Sequence, residues 1–273
     1  MEYIFTIVLM ILTILSGLSY FLKKIFFYTN KNNDFLNKNF FIKYMPSFFP
    51  IFFVIFFIRS FLYEPFRIPS GSMNPTLYDG DYIMVNKFIW GIKNPINNNI
   101  IFKVSNPNRG DVVVFRYPHN HNINYIKRII GIPGDKVIYN ELNKELIILS
   151  KNNEMINIVY SKNIKNKNFL DKNSEIKHEK IENNEHNILL NSSIKINNHD
   201  IKNKNKIFKV WNIPSECYFV MGDSRDNSYD SRYWGFVSKK EIIGKAVCIW
   251  MHIKKNSYNF PIRIIFNRVG KIN

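Results

Sequence analysis

Two long apolar runs open the chain, and beyond them the pattern changes character. The first, Tyr3 to Leu22, is interrupted only by Thr, Ser and Gly. As a helix, about 20 residues span about 30 Å, the thickness of a bilayer core. A cleaved leader would need a basic start and a small-x-small end. The chain instead begins Met1-Glu2-Tyr3, and the run ends Phe21-Leu22-Lys23-Lys24, which predicts a retained span over residues 1–22. The second run, Tyr44 to Leu62, is rich in Phe and carries Arg59 near its far end, close enough to snorkel. Pro46 and Pro50 suit the first turns of such a span, where a missing N–H costs least.

After Glu64-Pro65, short β-like runs alternate with Gly, Pro and Asn/Asp turns. Asp81 to Asn86, Asp111 to Tyr117, Tyr125 to Ile132, Cys217 to Met221 and Lys245 to Trp250 read as strands, with no amphipathic helix of useful length among them. Residues 140–209 are polar, Asn/Lys-rich and nearly free of aromatics, and Leu146–Leu149 and Ile207–Trp211 bracket them. They read as an inserted lobe of weak strands with a partly mobile middle, or as disorder across 160–205. The predicted fold is mostly β. Two N-terminal transmembrane helices (1–22 and 44–62) precede a barrel-like all-β domain (63–139 and 210–273), into which a smaller β lobe (140–209) is inserted.

Charge sets the orientation. The loop 23–43 carries Lys23, Lys24, Lys31, Lys38 and Lys43 against Asp34. The positive-inside rule places it in the cytoplasm, and everything after Leu62 on the other side. The net charge of +17 raises nucleic acid as a partner. Lysine, however, arrives with Asn and Ile along the whole chain, as in Asn163–Asn168, without a focused patch or a zinc-finger spacing. Nucleic acid is therefore set aside, and a lipid bilayer is the expected partner. The two cysteines, Cys217 and Cys248, are too far apart in sequence for a metal-site spacing, and they read as separate strand residues. A disulfide between them stays open.

Candidate chemistry lies in three segments. Ser72 sits in Pro69-Ser70-Gly71-Ser72-Met73-Asn74-Pro75, ten residues past Leu62. Gly71 permits close backbone approach or a positive φ. A serine hydroxyl needs a base, and none of the six histidines stands in a suggestive setting. Lys127, in Tyr125-Ile126-Lys127-Arg128-Ile129-Ile130, can replace histidine if burial removes about three units from a reference pKa of about 10.4. The plainer alternative is an exposed Lys-Arg pair on an edge strand. The third segment is Gly222-Asp223-Ser224-Arg225-Asp226-Asn227-Ser228. It fails as a calcium loop, because Arg225 stands where an oxygen ligand is wanted. Asp230 and Arg232 can instead lock a turn, and Ser228 can offer its hydroxyl to a neutral lysine amine.

These segments, with Arg109-Gly110-Asp111-Val112-Val113-Val114-Phe115 and Gly131-x-Pro133-Gly134-Asp135, occur in one order. The chain so read resembles the bacterial type I signal peptidases. The resemblance implies a nucleophile at Ser72, a general base at Lys127, an oxyanion hole from Ser70 and the Ser72 N–H, and a lysine-orienting Ser228. It implies a supporting Asp230–Arg232 ion pair, and apolar walls from Phe66, Ile68, Met73, Leu77, Tyr125 and Ile126 that accept small residues. It further implies no metal or cofactor, exported preproteins as substrates, the bacterial inner membrane with the catalytic part on the periplasmic side, and proximity to the export translocase. Two other classes share features with the chain: a self-cleaving serine–lysine protein of the SOS-repressor type, and a catalytically silent membrane scaffold.

Overall fold

The first apolar run forms α1 (Glu2–Thr29) and the second forms α2 (Phe40–Phe57), which is extended by a π-helical turn over Ile58–Leu62. The computed structural model describes residues 2–29, 40–94, 99–164, 174–191, 207–254 and 263–272. The middle of the basic loop, 30–39, and the lobe stretches 165–173 and 192–206 lie outside the described residues. Both helices are long and apolar enough to cross a membrane, over Phe5–Ile25 and Lys43–Leu62. They pack on a face of small residues. The Thr13 hydroxyl donates to Leu9 O and Phe52 O, and a Cβ on Gly17 would stand 2.9 Å from the Phe49 ring. Because α2 starts at Phe40, Pro46 and Pro50 lie inside the helix and not in its first turns. Each removes one backbone hydrogen bond, a loss that membrane helices tolerate. Arg59 reaches past the helix end and pairs with Glu64 at 3.0 Å.

The rest is β. Strands β1 (Tyr63–Arg67), β2 (Asp81–Asn86), β3 (Gly91–Lys93), β4 (Ile100–Lys103), β5 (Val112–Tyr117) and β6 (Asn120–Gly131) come first. There follow β7 (Lys136–Asn140), β8 (Glu145–Leu149), β9 (Met155–Ile156), β10 (Ile158–Ile164), β11 (Ser174–Ile181) and β12 (Asn184–Asn191). The last are β13 (Phe208–Asn212), β14 (Cys217–Met221), β15 (Val237–Ser238), β16 (Ile242–Lys254), β17 (Arg263–Ile265) and β18 (Gly270–Lys271), with a single turn α3 (Ser231–Trp234) after β14.

The main sheet runs β1-β2-β16-β5-β6-β14-β15, with β17 and β18 on β16. This path is open: among the described residues no pairing joins β1 to β15, so the barrel-like body does not close into a ring. Side chains alternate across the sheet. On β5, Val112 and Val114 enter one core cluster, and Val113 and Phe115 enter another.

Two smaller sheets cover the expected insertion. One runs β13-β7-β8-β9 and the other β10-β11-β12. The pair β7–β13 spans both expected boundaries, with Asn140 opposite Phe208 and Tyr139 opposite Lys209. A third core cluster joins Val137, Leu146 and Ile181 to Ile130, Phe219 and Met221 of the main sheet. The stretch 174–191, inside the region where disorder was the alternative, is a regular antiparallel pair. Cys217 and Cys248 are both free thiols.

Candidate active site

Ser72 lies in a 3₁₀ turn, Gly71–Met73. Asn74 N donates to Gly71 O at 3.0 Å and Leu77 N to Met73 O at 2.9 Å, which winds the segment into consecutive turns. Met73 and Leu77 point into the core and are wholly buried, so apolar burial pins the turn from below. From the other side, Ser224 N donates to Ser72 O at 3.2 Å and Thr76 Oγ1 to Asp223 Oδ2 at 2.5 Å. Gly71 does not take a positive φ; its use is the space beside Asn74. Ser70 is extended, exposed, and does not cap the turn with its side chain, which leaves its hydroxyl available.

Lys127 comes from β6, which lies between β5 and β14 and is therefore not an edge strand. The Lys127 side chain is 5% exposed. Its Nζ stands 2.6 Å from Ser72 Oγ and 5.7 Å from the centre of the Tyr125 ring. Burial pushes the amine down to about 8, against the pull of Asp230 and Asp223, and Arg232 adds to the lowering. An amine so placed is neutral in roughly one molecule in ten at pH 7, far more than at the ordinary lysine value, and that neutral form can accept the serine proton.

The next residue, Arg128, alternates to the opposite face and is fully buried. It grips Asp223 with two bonds, of 2.9 and 2.8 Å, and donates to Gly110 O at 2.8 Å. Burial alone would push the Asp223 carboxyl up; the Arg128 guanidinium, with His186 and Thr76, outweighs it and holds the carboxyl below its usual range. Asp230 caps α3, accepts Gly222 N at 3.0 Å, and holds Arg232 by two bonds of 2.8 Å. Arg232 in turn donates to Arg225 O at 2.6 Å. Gly222 is a close-approach glycine: a Cβ there would stand 2.4 Å from Ser72 O and 2.3 Å from Ser228 Oγ.

Ser228 is thus brought beside the Ser72 backbone, but its buried hydroxyl makes no hydrogen bond and does not reach Lys127. Of the wall residues, Phe66, Ile68, Met73 and Leu77 share one cluster, with Ile126 packed against it. Tyr125 belongs to the neighbouring cluster and stacks on Tyr117 at 4.7 Å. Since Met73 and Leu77 are sealed, the surface left for contact comes from the half-buried Tyr125 and Ile126.

Sequence reasoning missed the Arg128–Asp223 clamp and the packing of Gly222. Strand alternation carried the first signal: if Lys127 is buried on one face of a central strand, Arg128 is buried on the other and needs an anion. Histidine takes no part in such a dyad. His252 Nδ1 lies 2.7 Å from Asp81 Oδ1, and among the described residues no serine hydroxyl bonds to a histidine.

Residues 41–251 match the family described as signal peptidase, peptidase S26. The signal peptidase I of Buchnera aphidicola subsp. Acyrthosiphon pisum (strain APS) is 44% identical, with 100% of both chains covered. That of Pseudomonas aeruginosa is 42% identical, over 87% of this chain and 82% of the relative. A solved signal peptidase I from Enterococcus faecalis V583 is 26% identical with a TM-score of 0.29, covering 52% of this chain and 98% of that one. With the family matched across most of its length and relatives aligned nearly end to end, the chain belongs to the signal peptidase family S26, among the bacterial type I signal peptidases.

Proposed function

We propose that this chain is a membrane-bound serine endopeptidase that removes N-terminal signal peptides from exported preproteins by a Ser72/Lys127 dyad. The observation that carries the reading is the 2.6 Å approach of Lys127 Nζ to Ser72 Oγ, made by a lysine that burial has depressed to about 8.

Neutral Lys127 takes the Ser72 proton as Oγ attacks the scissile carbonyl carbon. The oxyanion is met by the Ser70 hydroxyl and the Ser72 N–H, both at the start of the 3₁₀ turn. Lys127 then gives its proton to the departing amine, the mature protein leaves, and an acyl-enzyme remains. A water loses a proton to Lys127 and attacks the ester carbon; as the bond to Oγ breaks, Lys127 returns that proton to Ser72 Oγ and the signal peptide is freed with a new carboxylate. Ser228 turns its unpaired hydroxyl towards the lysine during turnover and orients it. The half-buried Tyr125 and Ile126 form the open apolar wall, with Phe66, Ile68, Met73 and Leu77 buried behind Ile126, and this wall selects small residues at P1 and P3, hence small-x-small sites.

Ser72 follows the second helix by only ten residues, which keeps the cleft at the bilayer surface where a signal peptide still resides in lipid. The basic residues Lys23, Lys24 and Lys43 beside the helices put that loop in the cytoplasm. The site then faces the periplasmic side of the inner membrane, near the export translocase. The decisive experiment is cleavage of a purified preprotein by the chain in detergent or vesicles. The unaltered protein releases the mature product, and Ser72→Ala and Lys127→Ala, still folded and membrane-bound, do not. Substantial cleavage by Ser72→Ala would end the assignment.

A further inference from the structure

The β11–β12 hairpin belongs to the lobe, yet it touches the loop that holds the catalytic turn. Glu179 on β11 and His186 on β12 stand directly opposite in the register. Glu179 is fully buried and takes both guanidinium nitrogens Nη1 and Nη2 of Arg225, which is 1% exposed. His186 Nε2 lies 2.9 Å from the same carboxylate. Backbone bonds repeat the connection: Leu189 N donates to Asp223 O at 2.8 Å and Arg225 N to Leu189 O at 3.0 Å. From this joint the contacts run straight to the dyad. The Arg225 carbonyl accepts Arg232, Arg232 holds Asp230, Asp230 accepts Gly222 N, and Ser224 N donates to Ser72 O.

We infer that Glu179, backed by His186, is a positioning residue for catalysis: by fixing Arg225 it sets the loop 222–228 against Ser72 and Lys127. The inference rests on the dyad reading above and gives the lobe a task within it. A carboxylate and a guanidinium buried together are costly to desolvate, and an apolar pair of similar volume would serve stability at least as well. What the ionic pair adds is a fixed bidentate geometry. A loop released from it shifts relative to Ser72, admits water beside Lys127, and relieves the burial that depresses the amine. The charged groups facing Lys127 are Asp230, Asp223 and Arg232, and two of them sit within this loop or next to it.

The test uses the full chain with a preprotein substrate, and active sites are counted with a serine-acylating titrant. Glu179→Gln keeps the shape and removes the charge. Expected is a kcat per titrated site lowered by about 10- to 100-fold, the cost of a misplacement of about 1 Å, with KM changed by less than about threefold. The rising limb of the kcat/KM pH profile moves up by about one unit as burial is relieved. Glu179→Asp recovers part of the loss. Glu185→Gln, on the same hairpin in an exposed pair with Lys180, leaves all three readouts unchanged. A purely structural role would reduce the number of titrated sites but leave kcat per site and the pH profile alone, and that result overturns the proposal. If Glu179→Gln does not fold, the double variant Glu179→Leu/Arg225→Met, which strands no charge, replaces it; wild-type kcat in that folded protein also overturns the proposal. Failure of the dyad reading looks different, because the unaltered chain would then not cleave, or Ser72→Ala would.

Discussion

Lys127 and Arg128 are neighbours on one strand and are buried on opposite faces of it, Lys127 against Ser72 and Arg128 against Asp223. One strand thereby supplies both the candidate base and the cation that fixes the loop beside it. The two residues meet opposite demands. Lys127 must lose its proton, so it is buried, and burial outweighs the pull of Asp230 and Asp223 while its hydrogen-bond partner is a hydroxyl. Arg128 stays charged, so it receives a carboxylate with matched bidentate geometry.

The pH dependence follows from the first of these. With Lys127 depressed to about 8, kcat/KM is expected to rise with pH through an apparent pKa near that value and then level off. The sign is that of a base: activity needs the neutral amine and is lost as pH falls. A profile of kcat/KM from pH 6 to 10.5 checks it. A limb still climbing at pH 10 would show an unshifted lysine.

Removing the Arg128 charge is expected to cost stability as well as activity. Arg128→Met leaves the buried Asp223 without its cation, with Thr76 still donating to it, a loss of about 3–5 kcal/mol. The carboxyl is held low in the folded protein, so the stabilisation exists above its unfolded pKa of about 3.9 and fades as pH falls through the folded value. Denaturant melts of wild type and Asp223→Asn at pH 7 and at progressively lower pH read this directly. The gap between the two proteins is expected to narrow in acid, and a gap that stays constant would show that the Asp223 carboxyl is not held low in the folded protein.

Gly222 and Ser228 test the packing around Ser72 from two directions. Gly222→Ala drives a methyl to within 2.4 Å of Ser72 O and is expected to lower kcat by about 100-fold through displacement of the turn. Ser228→Ala removes a buried hydroxyl that bonds nothing, so stability is expected to change by less than about 1 kcal/mol. If Ser228 orients Lys127 in turnover, activity falls despite that small change. Full activity in Ser228→Ala would remove it from the mechanism.

What the sequence made legible was local. Strand alternation predicted β2 and β14 to the residue, because an apolar run bounded by turn residues fixes both ends. It underestimated β6 and β16: the polar start of β6, Asn120–Asn124, is strand because it pairs with β5, and β16 runs from Ile242 to Lys254 because β5 pairs its start and β2 and β17 pair its end. The start of α2 was missed because Phe40–Lys43 reads as loop until the helix is in place. Ser72 and Lys127 could each be singled out from their own surroundings. Their meeting could not, since it depends on β6 lying between β5 and β14. The Glu179–Arg225 joint was invisible for the same reason: in an Asn/Lys-rich segment, one Glu gives no sign of being buried.

Substrate choice gives the last test, because it asks which surfaces a peptide touches. Met73 and Leu77 are sealed in the core, whereas Tyr125 and Ile126 keep part of their surface open beside Lys127. A P1 side chain entering next to Ser72 is expected to meet that half-buried apolar surface, behind which Met73 and Leu77 are packed. Exchanging the P1 Ala of a preprotein for Phe or Leu is therefore expected to abolish cutting at that bond by steric clash. Ala, Gly and Ser at P1 differ by little, since one methylene in an apolar pocket is worth only about 1–3 kcal/mol. Tyr125→Ala opens the surface directly and is expected to admit larger P1 groups. Leu77→Ala acts only from behind and is expected to relax selection less, while costing about 2–5 kcal/mol of stability for the cavity. Measuring kcat/KM for a P1 series on the three proteins separates these effects. Equal cleavage after Ala and Phe by the unaltered chain would show that none of these residues lines the P1 site.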